Sequence, residues 1–125
     1  MVLVFGGAYQ GKLEYVMVQH QLSEADVFFC EGKAQIDFDK KVIYEIDKWL
    51  LEVIKAEADI KANVKAVLEH TQDKIIICND ISSGVVPVDK TLRLWREEVG
   101  RMMGQLSKQA NEVVRLYVGI PTRLK

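Results

Sequence analysis

A short apolar segment that runs directly into closely spaced glycines constrains the fold of this chain more than any other feature. Met1–Phe5 has the continuous apolar character of a strand buried on both faces of a parallel sheet. The turn Gly6–Gly11 follows, and from Lys12 to about Leu22 apolar residues recur with helical spacing. A buried strand, a glycine turn and a helix in this order predict an α/β domain with a mainly parallel sheet.

The turn has the spacing of a phosphate-binding loop. Its sequence, GGAYQGK, fits the first seven positions of the pattern G-x-x-x-x-G-K-[ST]. In such loops successive N–H groups face one point, the helix N-terminus adds positive potential, and the lysine contacts the β- and γ-phosphates. The candidate nucleotide-binding residues are therefore Gly6, Gly7, Ala8, Tyr9, Gln10, Gly11, Lys12 and Leu13. The alternative is a glycine turn that joins a strand to a helix and binds no ligand.

One position departs from the pattern. Leu13 stands where a serine or threonine hydroxyl would bind Mg²⁺, and a leucine side chain cannot coordinate a metal. We therefore expect a weakened Mg²⁺ site, with phosphate binding dependent on the backbone amides and Lys12.

The rest of the chain continues the alternation of strands and helices. Further strands are predicted over Asp26–Cys30, Lys74–Cys78 and Glu112–Gly119, the last of them ended by Pro121. Long apolar stripes predict helices from about Phe38 (through Val42, Ile46, Trp49 and Val53), around Ile60–Leu68 and around Leu92–Leu106, with Trp49 and Trp95 in the core. Ser82–Pro87 is predicted to be a loop. The pattern indicates one α/β domain over residues 1–125, with helices on both faces of the sheet.

The charge and the cysteines exclude several classes of function. The chain has 17 Lys and Arg against 18 Asp and Glu, so we expect neither nucleic acid nor an anionic membrane surface as a partner. No apolar stretch has the length of a membrane span, and the apolar start is too short for a signal peptide, so a cytoplasmic protein is expected. Cys30 and Cys78 fit no metal-binding spacing and are predicted to be buried thiols.

Motifs in the C-terminal half point to a particular family. Asn79–Pro87, NDISSGVVP, resembles N-E-V-G-x-G-I-V-P, and the sequence continues in step through Trp95-Arg96-Glu97, Gly100-Arg101, Ala110–Val113 and the ending Gly119–Lys125. The loop GGAYQGK also echoes G-G-A-R-S-G-K-S. Together these motifs resemble the adenosylcobinamide kinase/adenosylcobinamide-phosphate guanylyltransferase family of cobalamin biosynthesis.

This resemblance implies a RecA-like P-loop fold that binds ATP or GTP with Mg²⁺. It also implies phosphoryl transfer to the aminopropanol hydroxyl of adenosylcobinamide or another corrinoid, followed by GMP transfer through a guanylylated histidine. Self-association as a homo-oligomer is expected for the same reason.

The departures from the family pattern bear on these activities. Family members are longer, and the stretch missing after the first helix normally carries the guanylylated histidine. Only His20 and His70 are present, and neither occupies that position. We therefore expect guanylyl transfer to be lost.

Two acidic residues and two arginines are further candidates. Glu31 follows a predicted strand and is a candidate metal ligand, with an exposed loop acid as the alternative. Asp80 follows the strand KIIIC and is a candidate metal ligand or acceptor of the substrate hydroxyl proton, with a turn-capping role as the alternative. Arg96 and Arg101 are candidates for phosphate binding, although a solvated helix face explains them as well.

Three functions are compatible with these residues. The first is a shortened kinase that retains nucleotide binding and phosphoryl transfer to a cobinamide-type alcohol. The second is a non-catalytic relative or subunit that binds nucleotide or corrinoid. The third is an α/β interaction module whose glycine loop is only a turn.

Overall fold

The described ranges, residues 1–81 and 87–125 of a computed structural model, form a six-stranded sheet with helices on both faces. The predicted loop at Ser82–Pro87 lies outside these ranges except for Pro87. A one-turn 3₁₀ helix, Glu24–Asp26, precedes the second strand. The strands and α-helices, in chain order, are β1 (Val2–Gly6), α1 (Lys12–His20), β2 (Val27–Phe29), β3 (Val42–Tyr44), α2 (Ile46–Lys55), α3 (Ile60–His70), β4 (Ile75–Asn79), α4 (Lys90–Gln109), β5 (Glu112–Tyr117) and β6 (Ile120–Arg123).

The sheet order is β2-β3-β4-β1-β5-β6, with β1 to β5 parallel and β6 antiparallel to β5. Strand β1 therefore lies inside the sheet, between β4 and β5. The loop that follows β1 is consequently flanked by the ends of two other parallel strands, which is where open α/β sheets bind ligands.

Side chains from alternate positions of each buried strand enter two separate cores. Leu3 of β1 packs with residues of α2, α3 and α4 on one face, whereas Val4 packs with Val16 of α1 on the other. Both side chains are almost fully buried. The predicted α/β fold, with a mostly parallel sheet covered on both faces, is confirmed.

One predicted helix was wrong in its first half. The segment from Phe38 does not become helical until Ile46, and Val42–Tyr44 instead forms strand β3 between β2 and β4. Val42 and Ile43 are β-branched, and their side chains pack into the two different cores. Because both faces of the strand are buried, consecutive residues of the strand are apolar. The spacing of Val42 and Ile46 mimics one turn of helix, although the left-handed Glu45 separates strand from helix.

The C-terminal strand was predicted too long. Strand β5 ends at Tyr117, and the chain turns through Val118 and Gly119 into β6. Pro121 lies within β6 rather than ending a strand, which is tolerated because β6 is at the edge of the sheet.

The remaining predictions about burial are mostly confirmed. Cys30 and Cys78 are buried and not disulfide-bonded, and burial raises the pKa of both thiols, as expected for inert core cysteines. Trp49 is in the core, whereas Trp95 is only partly buried. Among the helices of the described ranges, none combines the length and apolarity that crossing a membrane requires.

Candidate functional site

A cleft of about 990 Å³ opens at the carboxyl ends of β1, β3 and β4. The loop residues Ala8–Glu14 form one wall, and the junction of β3 with α2 forms the other. The end of β4 and the Trp95 side chain of α4 complete the lining. The predicted loop thus faces a cleft at the edge of the sheet where the fold places ligands.

The loop has the backbone form that a phosphate cradle needs. Gly11 is the N-cap of α1 in a left-handed conformation (φ 77°), and none of the described side chains caps the helix. The N–H groups of the first helical turn have no helical acceptor, so they are available to an anion in the cleft. Gln10 accepts a hydrogen bond from the Val118 N–H, which ties the loop to the turn between β5 and β6.

Lys12 lies inside this loop rather than in solvent. Its side chain is only 4% exposed, and its ammonium group donates a hydrogen bond to the Gly7 carbonyl across the loop. Burial lowers the Lys12 pKa, and the nearby negative charges of Asp47 and Glu45 oppose this shift. A phosphate oxygen that replaced the Gly7 carbonyl would meet a cation that the protein already holds in position.

Asp47, which the sequence analysis did not single out, is a buried acid at the opposite wall. It is 1% exposed and accepts hydrogen bonds from the Asn79 N–H (2.9 Å) and the Asn79 side-chain amide (3.2 Å). The Trp95 indole donates to the Asp47 carbonyl at 2.6 Å. Burial raises the Asp47 pKa, while the hydrogen bonds from Asn79 act in the opposite direction. Asp47 thereby links α2, β4 and α4 at the base of the cleft.

A second acid, Glu45, extends this network towards the cleft mouth. It accepts a hydrogen bond from the Asn79 amide at 2.8 Å and pairs with Lys48 at 3.1 Å. Lys48 in turn reaches Glu31 at 3.7 Å. Glu45 has a left-handed backbone (φ 61°), a conformation that is unfavourable for a residue with a side chain. This conformation occurs at the junction where the chain passes from β3 into α2.

The structure brings most of the predicted site residues together. Glu31 lines the cleft, but it lies in the loop beyond β2 and is exposed, with Lys48 as its partner. Asp80 also lines the cleft, and its N–H donates to the Gly6 carbonyl at 2.8 Å, which fixes it beside the start of the loop. Leu13 packs partly into the core between α1 and the sheet and offers no oxygen ligand.

The arginines and histidines are not at the loop. Arg101 is exposed, pairs with Glu98 at 2.8 Å and lines a groove between α3 and α4. Arg96 lines a smaller pocket with Asp80 on the α4 side of the cleft. His20 is on α1, and His70 stacks on Phe38 at the end of α3. Neither histidine is among the residues that line the cleft.

Four residues of the cleft lining are not predicted as site residues from the sequence: Glu45, Asp47, Lys48 and Asn79. The first three follow β3, whose residues the sequence pattern predicts to be helical. Acidic residues directly after a short β-branched segment are the signal that could have found them, because carboxyl ends of parallel strands share one edge of a sheet.

Fold and loop together define the class of this protein, an α/β protein of the P-loop type. A family model described as cobinamide kinase / cobinamide phosphate guanyltransferase matches residues 39–124, well over half of the chain. The chain belongs to this family, and the resemblance found in its motifs is confirmed. The match begins after the glycine loop, so the assignment of the loop depends on its own geometry.

The chain is also similar to a protein of Escherichia coli (strain K12), the bifunctional adenosylcobalamin biosynthesis protein CobU. The two are 27% identical over 81 residues, which cover 63% of this chain and 45% of the relative. The aligned part of the chain thus spans less than half the length of that relative. The similarity supports a relation to cobalamin biosynthesis.

Proposed function

We propose that this protein binds ATP or GTP through the loop Gly6–Lys12 and transfers the γ-phosphoryl group to the hydroxyl of a cobinamide-type corrinoid. The observation that carries this proposal is the position of Lys12, a buried cation held under the loop and facing a cleft lined by carboxylates. Membership of the cobinamide kinase family supports the choice of acceptor.

The N–H groups of the loop would bind the β- and γ-phosphates. The Lys12 ammonium group would stabilise the negative charge of the γ-phosphoryl group during its transfer. Most of the barrier reduction in phosphoryl transfer comes from positioning and electrostatic stabilisation. Both are available here without a covalent intermediate, because Gln10 fixes the loop to the turn between β5 and β6, and the Gly6–Asp80 hydrogen bond fixes it to the residue that follows β4.

In the transfer step, the acceptor hydroxyl oxygen forms a bond to the γ-phosphorus as the bond from that phosphorus to the β-phosphate oxygen breaks. The nucleoside diphosphate leaves, and the hydroxyl proton passes to a carboxylate. Asp80 is our candidate for that carboxylate, since it lines the cleft and is anchored at the start of the loop.

Mg²⁺ would neutralise charge on the phosphates, and carboxylate oxygens are the ligands it prefers. Glu45 and Asp80 line the cleft and supply such oxygens, and Glu31 lies at its mouth. Leu13 supplies none, and the described residues contain no cluster of three or more His, Cys, Asp or Glu side chains suited to a metal. We therefore propose that the ion is held mainly by the nucleotide, at a weakened protein site.

A second candidate function is favoured by Leu13 itself. A non-catalytic relative or subunit would keep the phosphate cradle and bind nucleotide or corrinoid, without the hydroxyl that positions Mg²⁺. For either candidate we propose that guanylyl transfer through histidine is absent, because His20 and His70 lie away from the cleft lining. Self-association stays a prediction.

The two candidates are separated by a phosphorylation assay with cobinamide, Mg²⁺ and either ATP or GTP, in which cobinamide phosphate is detected by mass spectrometry. The kinase proposal predicts product from the wild type, more product from Leu13→Ser, and none from Lys12→Ala. Lys61→Ala, which changes an exposed lysine on α3, is the matched control and should equal the wild type. Nucleotide binding without product from the wild type or Leu13→Ser would favour the non-catalytic function.

A further inference from the structure

Tyr9 is an unusual residue at the tip of the phosphate-binding loop. Its side chain is fully exposed, and its backbone is left-handed, with φ 60°. That conformation is unfavourable for a large side chain, by about 1 kcal/mol or more. Within the described residues the Tyr9 ring makes no hydrogen bond or ring contact that would offset this strain. Tyr9 is nevertheless among the residues that line the cleft.

The loop is joined to an apolar turn on its β5 side. Because Gln10 accepts the Val118 N–H, the turn between β5 and β6 lies directly beside the tip of the loop. Two neighbouring side chains are also largely exposed, that of Tyr117 at the end of β5 (64%) and that of Val118 in the turn (66%). We call Tyr9, Tyr117 and Val118 the loop–turn surface.

The charges around the loop distinguish its two sides. Towards β4 and β3 the cleft is lined by carboxylates, among them Asp80, Asp47 and Glu45. Towards β5 the loop meets the loop–turn surface, whose three residues carry no carboxylate, and the Arg115 guanidinium lies 6.0 Å from the Tyr117 ring centroid. A nucleotide whose phosphates occupy the loop must direct its base to one of these sides. An uncharged aromatic base is better accommodated on the apolar side, where stacking on a ring is favourable.

We propose that the loop–turn surface binds the purine base of the nucleotide, with Tyr9 as its stacking partner. This inference rests on the proposed function, because it requires phosphates in the loop. It assigns the two sides of the loop different roles: the β5 side holds the base, and the side of β3 and β4 is left to the acceptor and the reacting groups.

The test compares nucleotides with inorganic tripolyphosphate, which has the phosphates but no base. Calorimetric titrations with GTP, ATP and tripolyphosphate, all with Mg²⁺, would be run on the wild type, Tyr9→Asn and Tyr9→Phe. Asparagine tolerates the left-handed backbone and removes the ring, whereas phenylalanine keeps the ring. We expect Tyr9→Asn to weaken GTP and ATP binding about tenfold, with tripolyphosphate binding unchanged. Tyr9→Phe should bind all three like the wild type.

The outcomes separate this inference from the proposed function. Equal nucleotide affinity in the wild type and Tyr9→Asn would overturn the stacking role, as would an equal loss of tripolyphosphate affinity, which indicates a change in the loop itself. Tripolyphosphate binding that matches nucleotide binding in the wild type would overturn the base surface and leave the phosphate loop standing. If neither nucleotides nor tripolyphosphate bind the wild type, both proposals fail. The melting temperature of Tyr9→Phe should equal that of the wild type, and that of Tyr9→Asn should be equal or higher, because the Tyr9 side chain is fully exposed and asparagine tolerates the left-handed backbone.

Discussion

Gly6, the last residue of β1, lies so close to β5 that the structure leaves no room for a Cβ atom at this position. A Cβ at this position would overlap the Leu116 carbonyl oxygen of β5 and lie 3.3 Å from its carbonyl carbon. Both of those atoms belong to the backbone of a central strand pair, so neither can rotate away as a side chain could. Gly6 does not have a positive φ, so the effect of Gly6→Ala would be steric.

Relief of this overlap requires β1 and β5 to separate locally. Overpacking of a well-packed interior costs about 1–3 kcal/mol, and loss of a backbone hydrogen bond adds about 1 kcal/mol. We therefore expect Gly6→Ala to lower the free energy of unfolding by about 2–4 kcal/mol, a large share of the stability of a domain of this size.

Urea denaturation followed by circular dichroism would measure this loss, with Gly7→Ala as the matched control. A Cβ at Gly7 would meet only the Gln10 side chain, at 3.8 Å, so its unfolding free energy should stay within about 0.5 kcal/mol of the wild type. If Gly6→Ala were as stable as Gly7→Ala, the close approach of β1 and β5 at the start of the loop would be refuted.

Three further predictions address the acids and the metal. Because burial raises the pKa of Asp47 in the folded protein above that in the unfolded chain, its ionisation is destabilising. The stability of the wild type relative to Asp47→Asn should therefore increase as the pH falls from neutrality towards about 4, the ordinary pKa of an aspartate, in urea denaturation at both ends of this range. The exposed Asp73→Asn is the control, and a difference that decreased with falling pH would contradict the assignment. Asp89 accepts the Leu92 N–H at 3.1 Å as the N-cap of α4, so Asp89→Ala should cost about 1 kcal/mol in the same assay, and no loss would contradict the cap. Removal of Mg²⁺ by EDTA should weaken nucleotide binding about tenfold, because the negative carboxylates of the cleft then repel a triphosphate whose charge no metal ion neutralises. Equal affinity in EDTA would show that these carboxylates do not act on the bound phosphates.

The strongest local signals in the sequence predict the fold and one half of the candidate site. Glycines at 6, 7 and 11 allow the backbone turns that a phosphate loop needs, and their place between an apolar strand and Lys12 is recognisable without tertiary information. The parallel sheet followed from the same alternation of apolar strands and amphipathic helices.

The other half of the site depends on tertiary packing. Strand β3 has only three residues and is buried on both faces, so it shows no strand alternation, and its apolar residues merge into the helical stripe of α2. Glu45 and Asp47 acquire their roles only because Asn79 of the neighbouring strand binds both of them. Such a network requires three elements to converge, and no spacing within one segment encodes it.

The central claim is that the loop Gly6–Lys12 binds nucleotide, and calorimetric titration with GTP and ATP in the presence of Mg²⁺ tests it most directly. We predict micromolar binding of at least one nucleotide to the wild type and to Lys61→Ala, and loss of binding in Lys12→Ala, whose folding would be checked by its melting temperature. The absence of heat from the wild type with both nucleotides, or unchanged binding in Lys12→Ala, would contradict the claim and leave the loop as a turn between β1 and α1.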